Sequence, residues 1–372
     1  MVFAINTRIL SGDIATRKFL LRTFTAIASE NPPHQFYFIS ENEFDVTVAL
    51  SNVQYVVIKQ QSSSPLLWKL WYNYKLPSLL RKIKADVLIS ADGICSLRTK
   101  LPQCLLVNDL EFISHPEWYN KKYVGFAKST TAASLAKVKS VITFSEYLKN
   151  AVITKYKTDS DKIEVIAPGT DKNFQPLHWN KRETIKKKYA EGNEYFLFCG
   201  AIHERNNLTN LLKAFSLFKK RQKSSMQLLL ITDFIPKKNA FVESLRLYKY
   251  RNDVNLLSGI DEREASSIIS SAWCCINLSP LYSDINFLLS ALQCEVPVIA
   301  GNNKQAKELL EDAAFYANPA VVDAIAEQMM LVYKDENKRN EMIEAGKTKS
   351  TSHNLVNSNE QLWQYILAIA KK

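Results

Sequence analysis

The sequence predicts an α/β protein with two doubly wound domains, each a largely parallel sheet that helices cover on both faces. Short apolar runs typical of buried strands alternate with amphipathic helical stretches along the whole chain. This alternation pauses at a polar segment with proline and glycine, at about 167–180, and then begins again. A chain of 372 residues also exceeds one ordinary hydrophobic core. We therefore predict one domain at 1–175 together with 351–372, and a second at 176–350.

The first domain is predicted from seven strand-like runs with helical stretches between them. The helices are expected near 15–29, 66–84 and 117–137, with a further helix in SEYLKNAVITKY. The strand-like runs are VFAIN (2–6), HQFYFIS (34–40), VQYVVI (53–58), ADVLIS (85–90), QCLLVND (103–109), KSVITF (139–144) and DKIEVIAP (161–168).

The second domain repeats this alternation. Its predicted strands are EYFLFCG (194–200), MQLLLIT (226–232), DVNLL (253–257), WCCINLS (273–279) and VPVIA (296–300). The stretch from Leu281 to Gly301 is expected to form a short loop, a helix and a buried strand that ends at a glycine. The tail, SNEQLWQYILAIAKK, is predicted to be a last amphipathic helix. In doubly wound folds ligands collect at the carboxyl ends of the strands, and we expect a site between two facing domains.

Composition indicates a soluble globular protein in a reducing compartment. Hydrophobic residues make up 47% and charged residues 23% of the chain. None of the six cysteines has CxxC spacing, so neither a zinc site nor a disulfide framework is indicated. The start, MVFAIN, resembles a strand and not a signal peptide. We expect a cytoplasmic protein. If the protein docks to a membrane, we expect it at the inner face of the cytoplasmic membrane.

The net charge is +11, and the most basic piece is WKLWYNYKLPSLLRKIK at 68–84. One interpretation is a surface helix whose basic side chains lie along apolar surface. The other is peripheral docking to an anionic membrane or to a polyanionic substrate. Nucleic acid is not an expected partner, since no recognisable binding motif accompanies the charge.

Glycine is scarce, with 9 of 372 residues, and this limits the classes of nucleotide site. Loops that cradle phosphates depend on glycine for close backbone approach. Neither GxGxxG nor GxxxxGK[ST] occurs anywhere in the chain. Typical dinucleotide-binding and P-loop sites are therefore not predicted.

Four segments carry a resemblance to a known family: NDLEFISHPEWYNKKY at 108–123, SVITFSEYLKNAVITKYKTDSDKIEVIAPGTDKNFQP at 140–176, YFLFCGAIHERNNLTNLLKAF at 195–215 and CEVPVIAGNNKQAKELLEDAAFYANP at 294–319. In order and spacing the sequence resembles the retaining glycosyltransferases of family 4. The resemblance implies the GT-B fold, two facing Rossmann-like domains whose last helix returns to the first domain. It also implies transfer of a sugar from a nucleotide-diphosphate donor, with no metal and no separate cofactor.

The resemblance assigns catalytic roles to two pairs of residues. In the family an Arg-Lys pair holds the diphosphate; here Arg205 matches the arginine, and Asn206 replaces the lysine. The family's His-Asp pair near the reacting sugar corresponds to Asn108 and Asp109. Asp109 is expected either to orient its loop by local hydrogen bonds or to act directly in catalysis.

Other positions correspond to donor contacts of the family. Of two glutamates that hold the donor, the first falls on Ser283 or Asp284 and the second on Ser290. The glycines expected in two strand-end loops are reduced to Gly12 and Gly200. His203 is expected either to contact the diphosphate or to be a surface loop residue. Gly259 and Ile260 are expected to lie beside the nucleotide base. Tyr282 is expected either in the sugar pocket or in the core.

The resemblance favours transfer of a sugar to a cell-envelope polysaccharide or glycolipid. Because several motif positions are substituted, a second class remains open: a catalytically degenerate homologue that binds glycan, nucleotide or a partner transferase. An epimerase on the same fold would need acidic groups that these motifs have lost.

Overall fold

The computed structural model describes residues 1–44, 48–60, 64–167 and 169–371, apart from the side chains of Tyr282 and Ser283. The chain forms two compact units. Unit 1 is Met1–Pro168 with Val356–Lys372, and unit 2 is Gly169–Leu355. Each is an α/β unit on a parallel sheet, which confirms the predicted fold class.

Unit 1 contains a parallel sheet of seven strands in the order β3-β2-β1-β4-β5-β6-β7. The strands are β1 (Val2–Asn6), β2 (Gln35–Ser40), β3 (Val53–Val57), β4 (Val87–Ser90), β5 (Gln103–Val107), β6 (Ser140–Thr143) and β7 (Ile163–Val165). The helices are α1 (Ile14–Glu30), α2 (Pro65–Leu70), α3 (Leu76–Lys82), α4 (Glu111–Ser114), α5 (Lys121–Lys137) and α6 (Glu146–Tyr156). The predicted strands of this half are confirmed; β1 has the predicted ends, and the ends of the other strands differ from the prediction by at most three residues.

Unit 2 contains a parallel sheet of six strands in the order β10-β9-β8-β11-β12-β13. The strands are β8 (Tyr195–Cys199), β9 (Gln227–Thr232), β10 (Val254–Ser258), β11 (Cys274–Asn277), β12 (Val298–Gly301) and β13 (Phe315–Ala317). The helices are α7 (Trp179–Ala190), α8 (Leu208–Gln222), α9 (Ala240–Arg246), α10 (Glu262–Ser271), α11 (Tyr282–Gln293), α12 (Lys304–Leu310), α13 (Val322–Lys334) and α14 (Glu336–Ser352).

The last helix, α15 (Leu355–Ala370), packs on the first two strands of the chain. The ring of Trp363 lies 4.8 Å from that of Phe3 on β1, centroid to centroid, and near Phe36 on β2. All three side chains are buried. Large aromatic side chains contribute much of the free energy of such packing, so the tail helix is part of the core of unit 1.

Both sheets have the same strand order around their first strand, and this order positions the site. In unit 1 the order changes direction between β1 and β4, and in unit 2 between β8 and β11. In doubly wound sheets a crevice opens at this switch point, at the carboxyl ends of the two strands. The loops after β1 and β4, and those after β8 and β11, are therefore where ligand-binding side chains are expected.

The stretch predicted to be helical near 66–84 is helical in the structure. It contains a π-helical turn, Trp71–Lys75, between α2 and α3. The amide of Leu76 donates to the carbonyl oxygen of Trp71, five residues earlier, and Pro77 next to it has no N–H to donate. The wider turn places both Trp71 and Tyr72 in the core.

In the part of the chain that the structure describes, no helix combines the length and the apolar character that crossing a bilayer requires.

Candidate active site

The chain leaves the six-stranded sheet at Gly200, directly after β8. Gly200 has a φ of +154°, and its amide donates to the carbonyl oxygen of Ile231 at 2.9 Å. A Cβ atom here would lie 2.9 Å from Cζ of Phe198. A side chain would therefore collide with the ring and would also adopt a backbone conformation that L-residues rarely take. Glycine lets the loop that follows turn over the switch point.

An ion pair bridges the switch point of unit 2. Arg205, in the loop after β8, donates from Nε to Asp284 Oδ2 at 2.7 Å and from Nη2 to Oδ1 at 3.1 Å. Asp284 lies in the first turn of α11, which follows β11. The two side chains are 10% and 4% exposed. This fork-to-fork geometry is the strongest that arginine forms with a carboxylate.

Polar side chains from the end of β11 hold Asp284 in place. Ser279 Oγ donates to Asp284 Oδ2 at 2.7 Å. Asn277 Nδ2 donates to the backbone oxygen of Asp284 at 3.0 Å, and Asn277 Oδ1 accepts from the amide of Ser279 at 2.8 Å. The carboxylate is thus positioned by its own loop as well as by the guanidinium.

Asn206 is directed into its own loop. Its side chain is buried, and Nδ2 donates to the carbonyl oxygen of Ala201 at 2.8 Å. The side-chain amide of Asn206 therefore closes the turn after Gly200 and supplies no charge. His203, two residues before Arg205, is half-buried, and its Nδ1 accepts from the amide of Arg205 at 3.3 Å.

The two helices that follow the switch-point strands begin without a side-chain cap. Neither Asn207 before α8 nor Leu281 before α11 caps its helix with a side chain. By contrast α9, α10 and α12 are capped by Asn239, Asp261 and Asn303, while α7 and α13, which do not follow the switch-point strands, also lack such a cap. Uncapped N–H groups and the helix dipole favour an anion at such a position.

The remaining predicted donor contacts lie at different places in unit 2. Gly259, with a φ of +72°, and Ile260 follow the edge strand β10, two strands from β8 and so about 10 Å away in the sheet. Ser290 is buried on α11. Tyr282 and Ser283 begin α11, but their side chains lie outside the described part.

The corresponding edge of unit 1 holds Asn108 and Asp109, directly after β5. Asn108 Oδ1 accepts from the amide of Asp92 at 3.2 Å. Asp109 Oδ1 accepts from the hydroxyl of Tyr119 and from the amide of Glu111, both at 3.0 Å. These bonds join Asp109 to its own loop and to Tyr119. Burial and the charges of Asp13 and Asp92 raise the pKa of Asp109 to about 7.

The switch point of unit 1 is bridged by neutral donors. Ser11, after β1, donates to Asp92, after β4, from its amide at 2.9 Å and from its hydroxyl at 2.7 Å. Burial raises the pKa of Asp92 to about 6, although the Ser11 bonds oppose the shift. Asp13 caps α1 through the amide of Ala15. Gly12 lies between Ser11 and Asp13 and has a φ of +80°. A Cβ atom there would have no neighbour within 4 Å, so the turn needs glycine for its backbone conformation and not for space.

Sequence reasoning missed several members of both edges. Asp92 and Ser279 each stand two residues beyond the end of the strand on the far side of the switch point. Asn277, the last residue of β11, was also missed. Their position after a buried strand was the available signal, but aspartate and serine at strand ends are also ordinary turn residues.

A missed arginine also lies beside the edge of unit 1. Arg8 is almost fully buried, lies 2.6 Å from Glu41 (Nη2 to Oε2), and stacks 4.7 Å over the ring of Trp71. Glu41 and the ring of Trp71, both in unit 1, balance the charge of Arg8. The edge of unit 1 therefore presents carboxyl and amide groups, and the edge of unit 2 presents a guanidinium and helix N–H groups.

Comparison with protein families identifies both halves of the chain. The family described as "Glycosyl transferases group 1" matches residues 180–349, and the family described as "Glycosyltransferase Family 4" matches residues 29–174. Together they cover most of the chain.

Two relatives are named as O-antigen chain mannosyltransferases. One, mannosyltransferase B of Escherichia coli, is 21% identical over 62% of this chain and 61% of its own length. The other, RfbU of Salmonella typhimurium, is 26% identical over 73% of this chain and 72% of its own length. The matched region thus spans about three fifths of the length of the first relative.

Solved structures share the fold over the whole chain. The sucrose-phosphate synthase of Thermosynechococcus elongatus superposes with a TM-score of 0.80 at 15% identity, covering all of both chains. HepE of Anabaena, solved in complex with UDP and glucose, superposes with a TM-score of 0.76 at 14% identity over 99% of this chain and all of its own.

Two doubly wound units of this strand order, together with the solved structures that superpose on them, show the GT-B fold, and the family matches define the class as glycosyltransferase. Both family matches agree with that class. The chain belongs to the group 1 glycosyltransferases, family 4.

Proposed function

We propose that the protein transfers a hexosyl group from a nucleoside-diphosphate sugar to a cell-envelope polysaccharide or glycolipid. The observation that carries this proposal is the switch point of unit 2, where Arg205 lies beside two helices that begin without side-chain caps. A guanidinium and free helix N–H groups are the means by which proteins hold diphosphates.

The proposed chemistry follows from charge development. The bond between the anomeric carbon and the diphosphate breaks, the acceptor oxygen forms the new bond, and the acceptor proton passes to the departing phosphate. Negative charge grows on that phosphate, and fixed donors that meet it lower the barrier. In this proposal Arg205 and the N–H groups at the start of α8 supply that stabilisation without a metal ion. Retention of anomeric configuration is proposed from the family resemblance.

The edge of unit 1 is proposed to receive the acceptor. Asn108 and Asp109 present an amide and a carboxyl group beside Tyr119, and such groups bind sugar hydroxyls. Since burial keeps Asp109 partly protonated near neutral pH, it is able to donate as well as accept a hydrogen bond. A neutral acceptor that is rich in hydroxyl groups suits the carboxyl and amide groups of this edge.

The sugar and the acceptor are proposed from the relatives. Both are named for mannosyl transfer in O-antigen chains, so mannose is the first sugar to test and an O-antigen-like glycan the first acceptor. HepE was solved with UDP and glucose, which supports a nucleoside-diphosphate hexose as the class of donor.

Membrane contact is proposed for one face of α2 and the π-helical turn. Leu66, Leu70 and Tyr74 are 67%, 39% and 50% exposed and follow one another at four-residue spacing. No acidic residue occurs in the sequence between Asp45 and Asp86, whereas six lysines and arginines do. An exposed apolar stripe among basic side chains fits an anionic lipid surface.

Vesicle binding tests this contact. The double variant Leu66→Asn and Leu70→Asn is expected to lower binding to anionic phosphatidylglycerol vesicles about tenfold, because two apolar side chains no longer enter the interface. The matched control is Leu247→Asn, which changes a 90% exposed leucine of unit 2. Equal loss in the control, or equal binding to purely zwitterionic vesicles, contradicts the proposal.

A non-catalytic homologue is the second candidate, and two observations favour it. Asn206 supplies no charge where the family has a lysine, and Arg205 already holds Asp284. Such a protein binds nucleotide or glycan without turnover.

Donor binding and turnover separate the two candidates. Thermal shift and calorimetry with GDP-mannose, UDP-glucose and dTDP-glucose identify the nucleotide, and transfer to an O-antigen-like oligosaccharide is followed by mass spectrometry. Transfer that is unaffected by EDTA, with an α-linked product from an α-linked donor in NMR, supports the proposed enzyme. Donor binding without transfer, with another transferase co-purifying, supports the second candidate.

A further inference from the structure

We propose that Asp284 is an internal competitor for the donor diphosphate, which must displace its carboxylate from Arg205 in order to bind. This inference rests on the proposed function, since it concerns the same diphosphate site. It also changes the role expected for Asp284 from the sequence, because the carboxylate faces a cation and not an open sugar pocket.

The geometry supports competition. Both oxygens of Asp284 accept from the guanidinium, at 2.7 and 3.1 Å, which is the bidentate arrangement that a phosphate group also uses. The pair bridges the loops after β8 and β11, the two sides of the crevice where ligands of doubly wound sheets bind. The carboxylate therefore occupies the anion position beside Arg205.

Burial makes the competition strong. With the two side chains 10% and 4% exposed, solvent screens the pair weakly. Ser279 Oγ adds a third hydrogen bond to the carboxylate at 2.7 Å. Asn206, where the family carries a second cation, contributes no charge. The charge of Arg205 is thus offset by Asp284 until a stronger anion arrives.

This arrangement selects for ligands with high charge density. A diphosphate offers more negative charge and more acceptor oxygens than the single carboxylate that it displaces. A nucleoside without phosphates gains nothing from Arg205 as long as Asp284 holds it. The pair therefore weakens the binding of every ligand that has to displace Asp284, and only ligands with enough negative charge to displace it bind at Arg205.

Calorimetry with Asp284→Asn tests the inference directly. Inorganic pyrophosphate, UDP, GDP and dTDP serve as probes. The variant is expected to bind pyrophosphate and the preferred nucleotide about 10–100-fold more tightly than wild type, because the amide no longer neutralises Arg205. The matched control is Asp323→Asn, which removes an exposed carboxylate paired with Arg221 in the same unit and leaves affinity unchanged.

A second variant covers the case in which Asp284→Asn does not fold. Ser279→Ala keeps both charges and removes one hydrogen bond from the carboxylate, so a smaller increase of about twofold to fivefold is expected. Tighter binding in either variant supports the inference.

Unchanged or weaker binding of pyrophosphate and nucleoside diphosphates in both variants overturns it. The inference also falls if Asp284→Asn weakens only the nucleotide sugar, since Asp284 then holds the sugar. Wild-type transfer together with either of these results leaves the proposed function standing. Tighter diphosphate binding without transfer in any form leaves the inference standing and removes the proposed enzyme.

Discussion

The two sheets share one strand order, yet their switch points are closed by opposite chemistry. In unit 1, Asp13 caps the helix after the first strand, and Asp92 accepts two bonds from Ser11 across the switch point. In unit 2 the equivalent helix α8 lacks a side-chain cap, and Arg205 crosses to Asp284. Both edges hold an aspartate of their own at the switch point, but neutral donors meet it in unit 1 and a guanidinium meets it in unit 2.

We expect this difference to make the two edges bind different ligands. The carboxyl groups of unit 1 are crowded and buried, which raises the pKa of Asp92 to about 6 and that of Asp109 to about 7. A further anion would be repelled there. At the edge of unit 2 the carboxylate of Asp284 is matched by a guanidinium. The fold is repeated, and the side chains at strand ends decide what each copy binds.

The largest effect is expected from Arg205→Ala. It removes the cation that we propose stabilises the departing diphosphate, so we expect transfer to fall on the order of 10²–10³-fold. Steady-state kinetics with the preferred donor measures the loss. The control is Arg221→Ala, an exposed arginine of unit 2 paired with Asp323 at 3.2 Å. Transfer that survives in Arg205→Ala, or that falls equally in the control, breaks the proposed contrast between the edges.

The ion pair at this edge was predictable only in part from the sequence. Arg205 and Asp284 were both selected from the sequence, by resemblance to the family. Their pairing was not, because they stand 79 residues apart and meet only through the loops after β8 and β11. Periodicity predicts strands and helices, but contacts between two strand-end loops depend on the order of strands in the sheet.

Gly200→Ala is expected to have the next largest effect. The strained φ alone costs about 1–3 kcal/mol, and the contact with Phe198 adds to it. Chemical denaturation should show this loss, and nucleotide affinity should fall because the loop carrying Arg205 shifts. The matched control is Gly12→Ala, whose Cβ would meet no atom within 4 Å although its φ is also positive. Equal stability of the Gly200 variant and wild type contradicts the explanation of this turn.

Asp109→Asn is expected to change the pH dependence of stability in unit 1. Between the usual pKa of 3.8 and the raised value of about 7, the folded state keeps a proton that the unfolded state releases. Stability of the wild type therefore falls as pH rises across this interval. The variant has no carboxyl group to titrate, so it does not lose this free energy of unfolding, which is on the order of 1–3 kcal/mol. The Tm of the variant minus that of wild type should therefore increase from about pH 4 to pH 8.

If the Tm values of wild type and Asp109→Asn changed equally between pH 4 and pH 8, the raised pKa of Asp109 would be contradicted. The matched control is Asp159→Asn, an exposed cap of a short 3-10 turn in the same unit, which should leave the slope unchanged.

The acidic edge was only partly predictable. Asn108 and Asp109 were found because they follow a buried apolar strand and match a family motif. Asp92 also follows a buried strand, β4, but an alanine and an aspartate after a strand are equally common in ordinary turns. The hydrogen bond between Ser11 and Asp92 joins residues that are 81 positions apart, so no local pattern predicts it. The π-helical turn was missed for a related reason: one added residue hardly alters the apolar pattern of Trp71 and Tyr72.

The central claim is that the donor diphosphate binds at Arg205, and NMR of the arginine side chains tests it most directly. The Nε–H signal of Arg205 is assigned by its disappearance in Arg205→Lys, and nucleoside diphosphate is then titrated into the wild-type protein. We predict that this signal shifts and saturates with the affinity measured by calorimetry, as Nε changes its acceptor from Asp284 to phosphate. Saturable nucleotide binding that leaves the Arg205 signal unmoved would contradict the account.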